Sequence, residues 1–342
     1  MAISSLPRYR MPAEWAPHRA TWFSWPHSRE TWPEELPQVE TALSHAVRAL
    51  ADGETVHIGT LDAEHRAHVA AVLEAHGAAA NVALHVVPTD DAWARDHGAI
   101  FVHDAATNAL VATRWGFNAW GGKYPFALDA EVAPQMAAVF GTPLVEGGMV
   151  LEGGSLDVNG AGALLTTRAC LLHPNRNPHL SQQQIEERLA TFLGATKVLW
   201  LGDGIVGDDT DGHVDDLTRF VAEDTVATIV ETDRTDENYD ALAENRALLG
   251  QMTLSDGRPL RVVELPTPAP VVIRGERMPA SYANFYIGNA AVVLPVFDDP
   301  NDAVAARTLA ALFPTRRVVP VPFRDGIWGQ GALHCLTQQI PR

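Results

Sequence analysis

Residues 36–87 alternate two helix-like segments with two strand-like segments: LPQVETALSHAVRAL (36–50), TVHIG (55–59), DAEHRAHVAAVLEAHG (62–77) and VALHVV (82–87). The two longer segments repeat apolar residues at helical spacing, and the second ends at Gly77, a residue type that often terminates helices. The two shorter segments are apolar and rich in β-branched residues, which favours strands. This alternation with short connections predicts an α/β fold.

The same alternation continues through the rest of the chain. Helices are predicted near 181–193, 237–250 and 302–312. Strands are predicted near 163–167, 197–201, 217–222, 226–230, 260–264, 283–287, 291–295, 317–321 and 332–337. PTPAP (266–270) is typical of a surface loop, no segment is typical of a flexible linker, and no repeat of 20–50 residues is visible. A length of 342 residues allows one large domain or two smaller ones.

The charge balance restricts the class of partner. The chain has 25 Lys and Arg against 42 Asp and Glu, a net charge of -17. This excess of acid argues against nucleic acid and anionic membranes as partners, and it is compatible with a small cationic ligand. Two cysteines in a chain of this length do not form a disulfide framework, and the N-terminus lacks the apolar core of a signal peptide. We therefore expect a cytoplasmic protein.

An acidic segment, GDDTDGHVDD (207–216), suggests a cation site. It fits the calcium-loop pattern poorly, because glycine and threonine occupy the two end positions where that pattern needs carboxylates. A solvated acidic loop is the simplest interpretation. In an extended segment, however, His213 and Asp215 would face the same side. An imidazole beside a carboxylate forms either an acid/base pair or the wall of a cation site, and a metal hydrolase remains an alternative.

A second segment, GIWGQGALHCLTQQIP (326–341), contains one of the two cysteines. Glycines before Cys335 would let a ligand approach the backbone closely, which favours a catalytic thiol over a buried apolar one. In a strand His334 would face the opposite side from Cys335, so it is not the expected base. Cys170 lies among leucines and is interpreted as a buried small apolar residue. Two further polar clusters, at 90–98 and 146–155, are typical of functional loops.

Eight segments in the same order resemble agmatine deiminases and the related bacterial-type peptidylarginine deiminases. They are MPAEWAPHRATWFSWPH (11–27), DAWARDHGAIFV (91–102), FNAWGGKYPF (117–126), LEGGSLDVNG (151–160), LLHPNRNPHLS (171–181), DTDGHVDD (209–216), PASYANFYIGN (279–289) and LHCLTQQIP (333–341). The resemblance covers nearly the whole length. It implies the pentein fold, a pseudosymmetric five-bladed α/β-propeller with a central active-site cavity, and a single catalytic domain over residues 1–342.

The resemblance also implies a role for each of several residues. It makes Cys335 the nucleophile, His213 the acid/base and Glu152 the carboxylate that orients His213. Asp96 and Asp215 would grip a guanidinium group. Trp93 would line the carbon chain of the substrate. From charge alone, Asp209 or Asp208 would meet an amine at the far end of the substrate.

The reaction implied is hydrolysis of agmatine to N-carbamoylputrescine and ammonia through a covalent cysteine thiouronium. Neither a metal nor an organic cofactor is expected, and relatives suggest a homo-oligomer. Peptidyl-arginine or free arginine remains an alternative substrate for the same chemistry. A catalytically inactive, cation-binding protein of the same fold is a further alternative.

Overall fold

Nineteen strands and nine helices are present in the computed structural model, which describes residues 8–342. The strands are β1 (Tyr9–Arg10), β2 (His18–Ser24), β3 (Thr55–Thr60), β4 (Val82–Val86), β5 (Ile100–Asp104), β6 (Leu110–Gly116), β7 (Leu144–Val150), β8 (Leu156–Val158), β9 (Ala163–Thr167), β10 (Lys197–Leu201), β11 (Thr218–Ala222), β12 (Thr225–Val230), β13 (Arg261–Pro266), β14 (Val272–Ile273), β15 (Glu276–Arg277), β16 (Tyr286–Ile287), β17 (Ala291–Val296), β18 (Arg317–Pro322) and β19 (Thr337–Pro341). The helices are α1 (Leu36–Ala51), α2 (Ala63–Ala75), α3 (Ala94–His97), α4 (Ala119–Gly122), α5 (Val132–Phe140), α6 (Arg168–Leu171), α7 (Gln182–Leu193), α8 (Tyr239–Leu249) and α9 (Asp302–Leu312).

Five sheets form the blades of the molecule. Blade 1 has the order β19-β2-β3-β4, blade 2 β1-β5-β6-β7, blade 3 β8-β9-β10, blade 4 β11-β12-β13 and blade 5 β16-β17-β18. A separate hairpin joins β14 to β15. In every blade an antiparallel pair is followed by a parallel pair, and a helical connection links the two parallel strands. A three-stranded unit of the same topology therefore recurs in all five blades, with β4 added to blade 1 and β1 added to blade 2.

Contacts between neighbouring blades involve strands β19, β5, β8 and β11. Strand β19 of blade 1 contacts β5 of blade 2, and β8 of blade 3 contacts β11 of blade 4. Between blades 3 and 4, Asp157 on β8 accepts from the Arg219 guanidinium (3.2 Å) and from Phe220 N (2.6 Å) on β11. The Arg219 side chain then reaches blade 5, where it donates to Phe285 O at 2.7 Å. Buried charge-assisted hydrogen bonds thus join successive blades around the centre.

The last strand of the chain completes the first blade. Residues of β19 pair antiparallel with β2, from Thr337 opposite Phe23 to Ile340 opposite Ala20. Every residue of β19 is buried. A C-terminal strand therefore closes the ring of blades against an N-terminal one, and closure places the turn that precedes β19 near the centre.

Local sequence explains where the helices begin and end. Ser181 accepts from Gln184 N and the Gln184 side chain accepts from Ser181 N, a reciprocal capping box that starts α7. The same helix ends at Gly194 in the left-handed conformation.

All five predicted helices and most predicted strands are confirmed within about three residues. Within residues 8–342, no helix combines the length and the apolar character needed to cross a bilayer.

Two local predictions are wrong. The strand predicted at 332–337 begins only at Thr337, because residues 333–336 form a turn. Asn284 stabilises that turn, since its Oδ1 accepts from His334 N (2.9 Å) and lies 3.4 Å from Cys335 N. The extended segment assumed around His213 is also absent, because Val214–Asp216 form a single 3-10 turn. Both corrections concern segments at the centre of the molecule, where tertiary contacts override local preference.

Candidate active site

A cavity of about 490 Å³ lies where loops of several blades meet. The indoles of Trp93, Trp120 and Trp328 contribute to its wall, and Cys335 lines it as well. Its acidic lining residues are Glu30, Asp90, Asp91, Asp96, Asp129 and Asp209. Among the described residues the lining includes no lysine or arginine. Carboxylates and aromatic faces together suit an organic cation that carries an apolar chain.

Remote residues reach this site because each lies between the last strand of one blade and the first strand of the next. Asp96 lies on α3, between β4 and β5, and Glu152 lies between β7 and β8. His213 lies between β10 and β11, and Asn284 lies between β13 and β16. Cys335 lies between β18 and β19. The fivefold topology therefore brings one connection from every blade to the centre.

Gly154 marks the point at which three of the predicted side chains meet. A Cβ atom built on Gly154 would lie 2.6 Å from His213 Nδ1, 2.8 Å from Asp96 Oδ1 and 3.0 Å from Asp215 Oδ2. The first two distances are shorter than real Cβ contacts and the third is at their lower limit, so the arrangement of these side chains requires glycine here. The imidazole and both carboxylates predicted from the sequence therefore surround a single backbone position.

Cys335 is 4% exposed and borders the same group. Its Sγ is 3.1 Å from Asn284 Nδ2 and 3.5 Å from Asp215 Oδ2. Burial, followed by the charges of Asp215, Asp216 and Asp96, raises the pKa of the thiol well above its usual value. The sulfur is therefore protonated at neutral pH, and it needs a neighbouring cation to become a nucleophile.

His213 is fully buried, and neither ring nitrogen has a hydrogen-bond partner within residues 8–342. Nδ1 faces two carboxylates, Asp96 Oδ1 at 3.8 Å and Asp215 Oδ1 at 4.0 Å. Nε2 faces Glu152 Oε2 at 3.9 Å. Burial lowers the pKa of His213 to about 3, although the charge of Asp215 acts in the opposite direction. The imidazole is therefore neutral and has a free nitrogen that can take up a proton.

Glu152 lies beside His213 but does not hydrogen-bond to it, since 3.9 Å exceeds hydrogen-bond length. Its Oε1 accepts from Arg176 Nε at 2.6 Å, and both side chains are buried. Burial raises the pKa of Glu152, while Arg176 lowers it. Arg176 also donates to Asp211 Oδ2 at 2.6 Å. Arg176 therefore fixes Glu152, the residue predicted to orient His213.

Asp96 and Asp215 have different surroundings. Asp96 lines the cavity, and its oxygens accept from Gly154 N and Trp120 Nε1, both at 3.0 Å. Burial and the charge of Asp215 raise the pKa of Asp96 well above its usual value. Asp215 is fully buried, and burial raises its pKa, but the hydrogen bond and charge of His334, with the charges of His213 and Arg219, bring the pKa below its usual value. Asp215 is therefore the carboxylate that keeps its negative charge most readily.

His334 links Asp215 to a buried network behind the site. Its Nδ1 is 2.6 Å from Asp215 Oδ2, and its Nε2 is 2.8 Å from Glu14 Oε2. Glu14 also contacts Arg95 at 3.2 Å and Arg219 at 2.9 Å. His334 therefore holds Asp215 in place.

The acidic segment that suggested calcium is held by protein donors instead. Asp208 Oδ1 accepts from Thr210 N at 2.8 Å, and its Oδ2 accepts from Gly212 N (2.9 Å) and His213 N (3.2 Å). Asp211 is paired with Arg176 and with Lys123, the latter at 3.0 Å. These carboxylates stabilise the turn that presents His213. Of the two candidates for an amine partner, Asp208 is absent from the cavity lining.

Asp209 and Trp93 both line the cavity. Asp209 Oδ2 accepts from the Tyr124 hydroxyl at 2.5 Å. The Trp93 ring packs against Trp32, with ring centroids 5.4 Å apart. Gly331 lies against the same wall, since a Cβ atom there would be 2.5 Å from the Trp93 ring and 3.2 Å from Cys335 Cβ. An aromatic wall thus runs beside the thiol.

Four site residues were missed as individual residues, although each lies in a recognised segment: Glu14, Trp120, Arg176 and Asn284. Their contacts connect segments that are distant along the chain, and local sequence gives no sign of such pairings. Burial of Arg176 is the clearest case, because arginine is mostly exposed in proteins. The segments that resemble the family were the only signal that could have located them.

Comparison with known proteins agrees with this geometry. A family model described as Porphyromonas-type peptidyl-arginine deiminase matches residues 10–341. A Legionella pneumophila protein, itself assigned only provisionally as an agmatine deiminase, is 36% identical over 98% of this chain and 95% of its own. The solved agmatine deiminase of Enterococcus faecalis is 31% identical, covers 99% of both chains and gives a TM-score of 0.92.

A C. jejuni agmatine deiminase solved with substrate bound is also 31% identical, over 98% of this chain and 96% of that chain, with a TM-score of 0.88. Similarity of this extent confirms the expected five-bladed α/β-propeller of the pentein fold. Because the family model and these relatives span nearly the whole chain, the protein belongs to the Porphyromonas-type peptidyl-arginine deiminase family.

Proposed function

We propose that the protein is a hydrolase that converts agmatine to N-carbamoylputrescine and ammonia, with residues 1–342 acting as a single catalytic domain. One observation carries the proposal. The Cys335 sulfur lies 3.5 Å from Asp215, beside an imidazole and a second carboxylate, at a cavity whose charged lining residues are all acidic. A thiol, a base and paired carboxylates are the groups that guanidinium hydrolysis needs.

Binding begins with the charge of the substrate. A guanidinium is planar and permanently protonated, and two carboxylates can accept its N–H groups in its own plane. Asp215 supplies the negative charge, since the contacts with His334 and the charges of His213 and Arg219 hold its pKa below the usual value despite burial. Asp96 supplies the second carboxylate, because a bound cation favours its ionised form. The guanidinium carbon would then face the Cys335 sulfur.

Bound substrate also activates the nucleophile. In the free protein Cys335 and His213 are both uncharged, because burial raises one pKa and lowers the other. A guanidinium offsets the carboxylate charges that disfavour the thiolate. The thiol proton then moves to Nδ1 of His213, and the thiolate adds to the guanidinium carbon. The resulting tetrahedral intermediate is neutral, because the negative charge of the thiolate cancels the positive charge of the guanidinium.

His213 returns its proton to one amino group of the intermediate. The carbon–nitrogen bond breaks, ammonia leaves, and a thiouronium cation remains on Cys335. His213 next takes a proton from water, and the hydroxide adds to the same carbon. Collapse breaks the carbon–sulfur bond, releases the ureido product and restores the thiol. One proton in excess leaves with ammonia as ammonium, so neither a metal nor an organic cofactor is required.

The far end of the cavity would determine the choice of substrate. We assign Asp209 to the second amine of agmatine, since its carboxylate lines the cavity and Tyr124 orients it. Trp93 would pack along the carbon chain that joins the two cations. Peptidyl-arginine would need space for backbone instead, and free arginine would bring a carboxylate close to Asp209.

Ammonia release from agmatine, free arginine and an N-blocked arginyl peptide tests the proposal. We expect turnover of agmatine to exceed that of both rivals by at least about 30-fold in kcat/KM, since one desolvated charge contact contributes about 2–3 kcal/mol. Asp209→Asn should raise KM for agmatine with little change in kcat. A preference for arginine or the peptide would refute the substrate assignment.

Two controls separate the other interpretations. Cys335→Ala should abolish turnover while agmatine still binds, whereas an inactive binding protein would show no turnover before the change either. Activity should survive exhaustive treatment with a chelator. Loss of activity that a divalent ion restores would instead favour the metal-hydrolase interpretation.

A further inference from the structure

A second group of ligand atoms lies on the far side of His213 from the two carboxylates at Nδ1. It consists of Glu152, Cys170 and His213, each of which offers one atom within 4.8 Å of the others. All three side chains are 0% exposed. Cys170 lies on α6, where Thr167 Oγ1 accepts from Cys170 N at 3.2 Å and fixes the position of the backbone. The reaction derived above does not use Cys170.

Two atoms of this group are buried without a hydrogen-bond partner among residues 8–342. They are Oε2 of Glu152 and Nε2 of His213, which lie 3.9 Å apart. Buried polar atoms are almost always hydrogen-bonded, so an unpartnered pair requires an explanation. The pair faces a position that Cys170 also borders. This is an observation independent of the presence of a cysteine, and it points to a bound group.

The chemistry of the donor atoms identifies the class of ligand. One sulfur, one imidazole nitrogen and one carboxylate oxygen form a mixed set that suits borderline-soft divalent ions, zinc first among them. We propose that Glu152, Cys170 and His213 form an inhibitory site for Zn²⁺ or a similar ion. The ligand atoms need to move inward only slightly to reach the separations of a tetrahedral zinc site, about 3–4 Å.

The local charges favour a cation despite the nearby guanidinium of Arg176. Glu152, Asp208 and Asp211 all act on Cys170 with negative charge, and Arg176 opposes them. Arg176 engages Oε1 of Glu152, which leaves Oε2 available as a ligand. Coordination replaces the thiol proton of Cys170 by the metal, and that proton leaves to solvent. Because the site is buried, binding needs a local opening and should be slow.

Inhibition follows from the two nitrogens of one ring, and this consequence rests on the proposed function. A neutral imidazole has one nitrogen with a free lone pair and one that carries hydrogen. If the metal takes the lone pair of Nε2, the hydrogen stays on Nδ1. Nδ1 then cannot accept the proton of Cys335. Turnover stops although the substrate-gripping carboxylates are intact.

Direct binding of Co²⁺ and Zn²⁺ to Cys335→Ala protein tests the site without any need for turnover. This variant also removes the alternative ligand group Asp215, Asp216 and Cys335. We expect one equivalent of Co²⁺ to bind, with the near-ultraviolet charge-transfer absorption of a thiolate–cobalt bond, and Zn²⁺ to displace it. Adding Cys170→Ala should remove that absorption and weaken Zn²⁺ binding by about 100-fold.

The single variant Cys170→Ala gives the matched activity test. It should retain turnover, and it should lose the slow inhibition that Zn²⁺ causes in the unmodified protein. Zinc binding that survives Cys170→Ala but disappears in Cys335→Ala would overturn the site, as would the absence of any thiolate–cobalt absorption. If the site binds metal while agmatine is not turned over, the proposed function fails and the metal site stands.

Discussion

At the scale of single residues, the central feature is a thiol surrounded by acid. Cys335 lies 3.5 Å from Asp215, and Asp216 and Asp96 also raise its pKa after burial. A buried cysteine with acidic neighbours stays protonated in the free protein, which protects it from oxidation and from reaction with other electrophiles. Only a cation in the cavity reverses the balance. In the proposed mechanism, the bound guanidinium supplies the positive charge that converts Cys335 into a nucleophile.

Asp215→Asn should separate the effect of this carboxylate on the pKa of Cys335 from its effect on turnover. Removing the negative charge lowers the pKa of the Cys335 thiol, so iodoacetamide should alkylate Cys335 faster at pH 7 than in the unmodified protein. Turnover should fall by about 100-fold or more, because a preorganised charge is lost. Alkylation rates measured against pH, with peptide mapping of the modified cysteine, check the prediction.

Asp90→Asn is the matched control, since Asp90 is a carboxylate of the cavity wall whose Oδ2 accepts from Leu128 N at 2.7 Å. It should leave the alkylation profile of Cys335 close to that of the unmodified protein. Slower alkylation in Asp215→Asn would mean that Asp215 promotes the thiolate, contrary to the electrostatic account.

Sequence reasoning found the residues with distinctive chemistry and missed those that support them. Cys335, His213 and the carboxylates lie in segments that resemble a known family, and the fold brings them together as expected. Their roles in catalysis remain predictions. Asn284 and Glu14 act through contacts with His334 and Cys335, from segments far away along the chain. Contacts of that kind depend on the tertiary structure, so no local pattern could reveal them.

At the scale of helices and strands, periodicity was sufficient where an element is regular and long. Helices α1, α7 and α9 match their predicted ranges closely. Strand β2 was missed because HRATWFS is buried at almost every position and shows no alternation. The sequence at 333–336 predicts a strand, because its apolar residues suit a strand as well as a turn. The contacts of Asn284 with His334 N and Cys335 N stabilise the turn and not the strand.

Strands β3 and β4 carry a pair of histidines with a measurable consequence. His57 Nδ1 and His85 Nε2 are 2.9 Å apart, and the rings stack with centroids 5.0 Å apart. Burial, with the charges of His85 and Arg19, lowers the pKa of His57 to about 4. Burial also lowers the pKa of His85. The pair is therefore neutral when folded at pH values where an unfolded chain would bind protons.

The sign of the pH effect follows directly. An unfolded histidine has a pKa near 6.5, so between about pH 6.5 and pH 4 the unfolded chain binds a proton that folded His57 does not. Stability is full above that window and falls as the pH drops through it. His57→Gln removes this contribution, so its melting temperature should fall less steeply between pH 7 and about pH 4.5.

Thermal unfolding followed across that pH range provides the measurement. His179→Gln, at an exposed histidine, should follow the unmodified protein and serves as the control. Parallel curves for His57→Gln and the unmodified protein would show that the buried pair contributes no pH dependence to stability.

At the scale of the whole molecule, the active site exists only because the ring of blades closes. Strand β19 pairs with β2, and Cys335 lies two residues before β19. Strands β5, β8, β11 and β16, the first members of the equivalent antiparallel pairs in blades 2 to 5, begin at residues 100, 156, 218 and 286, so successive repeats are 56, 62 and 68 residues apart. Such repeats share topology without visible sequence similarity. Periodicity predicted an α/β chain, and only the family resemblance predicted five blades.

The central claim is that Cys335 forms a covalent bond with the guanidinium carbon of agmatine. Intact-mass spectrometry of protein quenched in acid during the first turnover, followed by peptide mapping, tests it most directly. We predict a transient increase equal to the mass of agmatine minus ammonia, on the peptide that contains Cys335, which disappears when substrate is exhausted. Product release with no adduct at any time, or an adduct that maps to another residue, would contradict the account.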